Sequence, residues 1–186
     1  MRRVALAAAV LTLSACASDE DTKIYRVPSS SMEPTLHCAR PGFGCGAKEM
    51  DRIAAHPYGD DEPERGEIVV FRTPPLAQRE CGAGGTFIKR VVAVPGDVWE
   101  ERDGYVYINR RKLNEPYIQP ERRDSETHTL SDIAPGNQRI PSGMYLLLGD
   151  NRSASCDSRR WGLVPRRSII GKVFEIKRGS KRIDIR

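Results

Sequence analysis

The chain has 186 residues, 39% hydrophobic and 30% charged, enough for one domain with a sizeable core and ordinary for a soluble globular body. Thirty basic and 25 acidic side chains leave a net charge of +5, and no basic run is interleaved with aromatics. That pattern argues against nucleic acid and leaves an anionic lipid surface, or simply a solvated one, as the reading of the excess. Three histidines do not suggest a histidine-based metal centre, and His37, Cys38, Cys45 and His56 are too irregularly spaced for zinc, so neither metal nor cofactor is expected.

Residues 1–22 read as an export or anchor segment. Met1-Arg2-Arg3 is basic, Val4–Ser18 is uncharged, and Asp19-Glu20-Asp21 ends the run. The run is as long as a signal-peptide core and shorter than the roughly 20 residues that span a bilayer. Leu13-Ser14-Ala15-Cys16 looks like a lipobox, with Cys16 as the lipidated residue. An uncleaved anchor is the second reading, and cleavage at Ala15-Cys16-Ala17 to free the protein is the third. A lipid on Cys16 would leave a tether of 15 residues (31 − 16) to Ser31, at most ~50 Å at ~3.3 Å per residue.

Next comes Pro28-Ser29-Ser30-Ser31-Met32-Glu33-Pro34, three hydroxyls between prolines that favour an extended approach and then a bend. Ser31 is expected at the end of the extended part. Cys38–Glu64 reads as a Gly/Pro-rich, acidic loop region, Glu67–Phe71 as a strand, Thr73–Gly85 as a loop and Phe87–Val94 as a strand stopped by Pro95-Gly96-Asp97. Asp103-Gly104 is a hairpin turn between Val98-Trp99 and Tyr105–Ile108. Asn114–Pro141 is polar and irregular, Met144–Leu148 and Ile169–Ile176 are apolar strands, and a charged tail ends the chain. The reading is mainly β, with short antiparallel strands.

Beyond Cys16, an even number of cysteines follows an export signal, which suggests disulfides. Cys38 and Cys45 flank a loop that can close on itself, which leaves Cys81 to pair with Cys156. Free buried thiols are the other reading.

Four segments then stand in a telling order: Ser31-Met32-Glu33-Pro34-Thr35, Arg65–Phe71, Phe87–Asp97 and Gly149–Val164, the last reading G-D-N-R-S-A-S-C-D-S-R-R-W-G-L-V. They resemble the signature segments of bacterial signal peptidase I, over about Val27 to Val173. The resemblance implies bent antiparallel sheets forming a catalytic core (residues 23–186) with a smaller inserted β-rich subdomain near 98–141. It also implies a membrane-anchored serine endopeptidase on the extracytoplasmic face that removes signal peptides after Ala-x-Ala-like sites. Preprotein signal peptides and membrane lipids are the partners it implies.

In that pattern Ser31 is the nucleophile and Lys89 its general base; Ser29 joins the Ser31 N–H in the oxyanion hole, and Ser155 orients the lysine. Asp150, Asn151, Arg152, Asp157, Ser158 and Arg159 brace the loop. Val27, Pro28, Met32, Leu36, Phe87 and Ile88 line the substrate groove. A serine hydroxyl needs a neighbouring base, and a lysine serves only if burial lowers its pKa from about 10.4. Strand alternation puts Phe87 and Val91 on the face of Lys89, flanking the amine with hydrocarbon. Two other readings compete: a specialised Ser/Lys processing peptidase of the conjugation type, and a non-catalytic lipoprotein that keeps the fold.

Overall fold

A computed structural model describes residues 21–39, 44–45 and 47–185. Cys16, with the anchor segment as far as residue 20, lies outside the described residues. The strands are β1 (Lys23–Arg26), β2 (Arg52–His56), β3 (Ile68–Arg72), β4 (Thr86–Ala93), β5 (Trp99–Arg102), β6 (Tyr105–Ile108), β7 (Arg111–Lys112), β8 (His128–Thr129), β9 (Met144–Leu148), β10 (Val164–Pro165), β11 (Ile169–Arg178) and β12 (Lys181–Asp184). The helices are short: α1 (Leu76–Cys81), α2 (Leu130–Ile133) and α3 (Ser158–Trp161). Among the described residues the fold is mainly β.

The larger sheet runs β1-β2-β11-β3-β4-β9-β10, with β12 also paired to β11, and every pairing is antiparallel. A second sheet, β7-β6-β5-β8, lies within residues 98–141. Strand alternation explains how three apolar cores share these sheets. On β3, Ile68 and Val70 enter the first core, with Val27, Met32 and Leu36, while Val69 and Phe71 enter the second, with Trp161 and Ile169. On β9, Tyr145 and Leu147 join that second core, and Leu146 and Leu148 join the third, with Trp99, Val106 and Leu130 from the second sheet. A register shift between Val91 and Ala93 breaks the alternation on β4. Val91 therefore packs in the second core while Val92 and Ala93 both reach the third.

Several segments differ from the sequence reading. The stretch read as the loop Cys38–Glu64 contains β2, which pairs with both β1 and β11. Its Ala54-Ala55 centre has little β propensity, and burial between two neighbours decides its conformation instead. Thr73–Gly85 holds α1, stopped by Gly82 in the left-handed region at φ 64. The polar stretch 114–141 contains β8 and α2, the latter opened by a Thr129/Asp132 capping box. The charged tail forms β12, a hairpin on β11. Asp103 (φ 50) and Gly104 (φ 73) make the expected tight turn between β5 and β6. A Cβ on Gly104 would stand 2.1 Å from Asp124 O, so the glycine also lets the 124 segment close over the hairpin.

Leu147 is fully buried at the centre of β9. Leu147→Ala is expected to lower stability by about 3 kcal/mol, read as a lower urea midpoint with an unchanged slope.

Candidate active site

Ser31 sits in a 3₁₀ turn, Ser30–Met32, so the extended approach ends at Ser29 and the bend begins before Ser31 rather than after it. Ser29 before it is extended, the Glu33 N–H donates to Ser30 O to close the turn, and Met32 anchors it by burying its side chain in the first core. Ser29 Oγ and Ser31 Oγ lie 3.2 Å apart, within hydrogen-bond reach.

Lys89 projects from β4 and is 2% exposed. Its Nζ lies 2.7 Å from Ser31 Oγ and donates to Ile88 O at 3.2 Å, with the Phe87 ring centre 5.5 Å away. The 2.7 Å contact serves both protonation states: an ammonium donates to Oγ, and a neutral amine accepts the hydroxyl proton. Burial favours the neutral amine. Asp157 and Asp150 oppose it, and the pKa settles at about 8.

Neither carboxylate pairs with the lysine. Arg90, next to Lys89 on β4, grips Asp150 with Nε at 2.8 Å and Nη2 at 2.6 Å, and Thr35 Oγ1 donates to the same carboxylate at 2.5 Å. Asp157 accepts from Arg159 Nε at 2.9 Å, Arg159 Nη2 at 3.0 Å and the Gly149 N–H at 3.1 Å. Burial pushes the Asp157 carboxyl up, but the Arg159 charge together with hydrogen bonds from Arg159, the Gly149 N–H and Ser155 outweighs it, and the group stays below the usual carboxylate range.

The Gly149–Arg159 stretch clamps the serine turn. The Asn151 N–H donates to Ser31 O at 3.1 Å, and Asn151 Nδ2 donates to Ser30 O at 2.9 Å. Arg152 Nε donates to Gly149 O at 3.0 Å, and the Leu147 N–H donates to Ser158 Oγ at 3.0 Å, tying α3 to β9. A Cβ on Gly149 would meet Ser155 Oγ at 2.2 Å and Ser31 O at 2.4 Å.

The Ser155–Lys89 hydrogen bond expected from sequence is not formed. The amine turns to Ser31 and Ile88 O, while the Ser155 hydroxyl, packed over Gly149, acts on the Asp157 carboxylate instead. Leu36 is a second correction. It is fully buried in the first core and does not line the cavity beside Ser31. That cavity, about 460 Å³, is lined by Val27, Pro28, Met32, Phe87 and Ile88, with Ser29, Ser31 and Lys89 at its base. Sequence reasoning missed Tyr25, Ala83 and Thr86 in its lining, and also Cys81 and Cys156.

The four cysteines among the described residues form two disulfides, Cys38–Cys45 and Cys81–Cys156. The second joins the end of α1 to the clamp and forms part of the cavity wall, where the pairing read from sequence gave the signal for it. A larger polar cavity, about 1000 Å³, is lined by Tyr58, Glu62, Glu67, Tyr145 and Lys172 and lacks Ser31 and Lys89. Its polar groups are mutually paired: Tyr58 and Lys172 donate to Glu67, and Tyr145 donates to Glu62.

The family model described as signal peptidase, peptidase S26, matches residues 1–177. A protein named probable signal peptidase I-2 from Synechocystis is 38% identical over 155 residues, covering 80% of this chain and 59% of that protein. A signal peptidase I from Leptolyngbya laminosa is 37% identical, covering 78% and 64%. A signal peptidase IB from Staphylococcus aureus is 32% identical, covering 80% and 74%. The chain thus spans less than two thirds of the length of the first two relatives. A crystal structure of a signal peptidase I from Enterococcus faecalis is 32% identical with a TM-score of 0.49, covering 60% of this chain and 97% of that one.

Gly149→Ala is expected to lower stability by about 2 kcal/mol through overpacking. Adding Ser155→Gly should return only part of the loss in a thermal scan, because Ser31 O still lies 2.4 Å from the new methyl.

Proposed function

Because this chain belongs to the signal peptidase, peptidase S26, family, we propose that it is a serine endopeptidase that cuts signal peptides from exported preproteins after Ala-x-Ala-like sites. The observation that carries the reading is the 2.7 Å contact between Ser31 Oγ and a buried Lys89 amine at the base of an open, largely apolar cavity.

In this reading the neutral Lys89 amine takes the Ser31 proton as Oγ attacks the scissile carbonyl carbon. The resulting oxyanion faces the Ser29 hydroxyl and the Ser31 N–H, donors that act on charge present only in the transition state. The Lys89 ammonium then gives its proton to the departing amine, leaving an acyl ester on Ser31. A water deprotonated by Lys89 hydrolyses that ester. Val27, Pro28, Met32, Phe87 and Ile88 receive the small side chains of an extended peptide, and Asp150, Asn151, Arg152, Asp157, Ser158 and Arg159 keep the serine turn in place.

We also propose that the catalytic domain works on the extracytoplasmic side of a membrane, tethered through a lipid on Cys16. Two disulfides favour an oxidising compartment. No helix among the described residues is long and apolar enough to cross a membrane. Cys16→Ser is expected to move the protein from the membrane fraction to the soluble one; retention in the membrane would reject the lipid tether.

The test of the chemistry is cleavage of an Ala-x-Ala preprotein, with the new N-terminus read by mass spectrometry. Ser31→Ala and Lys89→Met should each lower kcat/KM by about 10³ or more. Since the base must be unprotonated, kcat/KM should rise at least tenfold per pH unit below about 8 and level off above it. The folded pKa of Lys89 lies below its unfolded value of about 10.4, so wild-type stability should rise with pH between those two values. Lys89→Met should remove that rise without lowering the thermal midpoint at pH 7. A pH-independent rate, or full activity in either variant, would sink the dyad.

A further inference from the structure

Glu101 has no place in the chemistry above, yet it is fully buried on β5, and neither of its carboxylate oxygens has a hydrogen-bond partner. It shares the inward face of that strand with Trp99, where an apolar side chain would satisfy the alternation. Burying a carboxylate without hydrogen bonds is costly unless nearby charge compensates for it. Two positive charges do approach. Arg159 Nη1 lies 3.6 Å and Arg152 Nη1 3.8 Å from Glu101 Oε1, and Arg152 Nη1 is itself buried without a hydrogen bond.

Those two arginines shape the clamp over the serine turn. Arg152 Nε holds Gly149 O, Arg159 Nη2 donates to Arg152 O at 2.9 Å, and Arg159 fixes Asp157, which in turn holds the Gly149 N–H. The other charges around Glu101 are already engaged. Glu115 accepts from Arg152 and, at 3.2 Å, from Arg123; Asp124 accepts from Arg159. His128, opposite Glu101 in the β5–β8 register, turns its ring to Glu126.

We infer that Glu101 is a positioning residue for the cleavage proposed above: its ionised carboxylate holds the Arg152–Arg159 pair, and through that pair the clamp on Ser30 and Ser31. The inference rests on the Ser31/Lys89 reading for its effect on rate. Burial raises the Glu101 pKa to about 7, against the pull of Arg159 and Arg152. Protonated and ionised forms therefore coexist near neutral pH, and the grip on the arginines weakens as pH falls.

The experiment compares full-chain wild type with Glu101→Gln, a mimic of the protonated form, and with Glu101→Asp, from pH 5.5 to 8.5. With an Ala-x-Ala preprotein, kcat of Glu101→Gln should be about tenfold below wild type at pH 8.5 and converge on it at pH 5.5. KM should stay unchanged, and Glu101→Asp should recover part of the loss. A merely structural role gives a ratio that does not vary with pH, and that result overturns the proposal. Thermal scans provide a readout independent of activity. The folded carboxyl has a pKa above its unfolded value of about 4.3, so wild type loses stability as pH rises between those values. The midpoint of Glu101→Gln should therefore gain on wild type from pH 5 to 8; a constant difference overturns the proposal. If wild type cleaves nothing, the failed reading is the catalytic one, and the thermal comparison still decides whether Glu101 carries a titrating buried charge.

Discussion

Lys89 can be a base only if the carboxylates around it are occupied by something else. Asp150 and Asp157 both act on the amine, and either one, if free to pair with it, would fix a proton there. Each is instead taken by an arginine in a two-point grip: Arg90 on Asp150 and Arg159 on Asp157. Burial can then draw the lysine down without an ion pair cancelling the effect. The same arginines anchor backbone. Arg90 Nη1 donates to Gly66 O at 2.6 Å, and Arg159 Nη2 to Arg152 O. The electrostatics of the amine and the shape of its surroundings therefore depend on the same bonds.

The serine side depends on close approach rather than charge. Asn151 holds the carbonyls of Ser30 and Ser31, and Gly149 brings the clamp backbone nearer to Ser31 O than a side chain would permit. Met32 pulls the turn into the first core from below. Ser31 is thus held by its backbone on both sides while its hydroxyl stays at the cavity floor.

Much of this was legible in the sequence because it is local. The period of two on β4 placed Lys89 with Phe87 and Val91, the Asp103-Gly104 pair marked its hairpin, and the ordered segments around Ser31, Lys89 and Gly149 pointed to one site. What stayed hidden depends on distant partners. β2 is a strand because β1 and β11 flank it, and Ala54-Ala55 carries no such signal. Leu36 looks like a groove residue until the first core closes over it. Glu101, Glu115 and Asp124 lie in a hairpin and a loop far from Gly149–Arg159 in sequence, and only packing the second sheet against the clamp brings them to Arg152 and Arg159. Ser155 stands in the right segment, but its hydroxyl acts on Asp157 rather than on Lys89, which could not be read from spacing.

The Cys81–Cys156 bond also has a topological side. Its sequence separation is 75, and the enclosed ring of chain contains Lys89, the whole second sheet and the strand β9. Closing a ring of that size removes unfolded-state entropy worth about 4 kcal/mol. It also means that one backbone cut anywhere between residues 82 and 155 leaves both pieces covalently joined and in register. The turns and irregular stretches of 98–141 are the kind of exposed segment proteases nick first. Such a nick would linearise the ring without releasing a fragment.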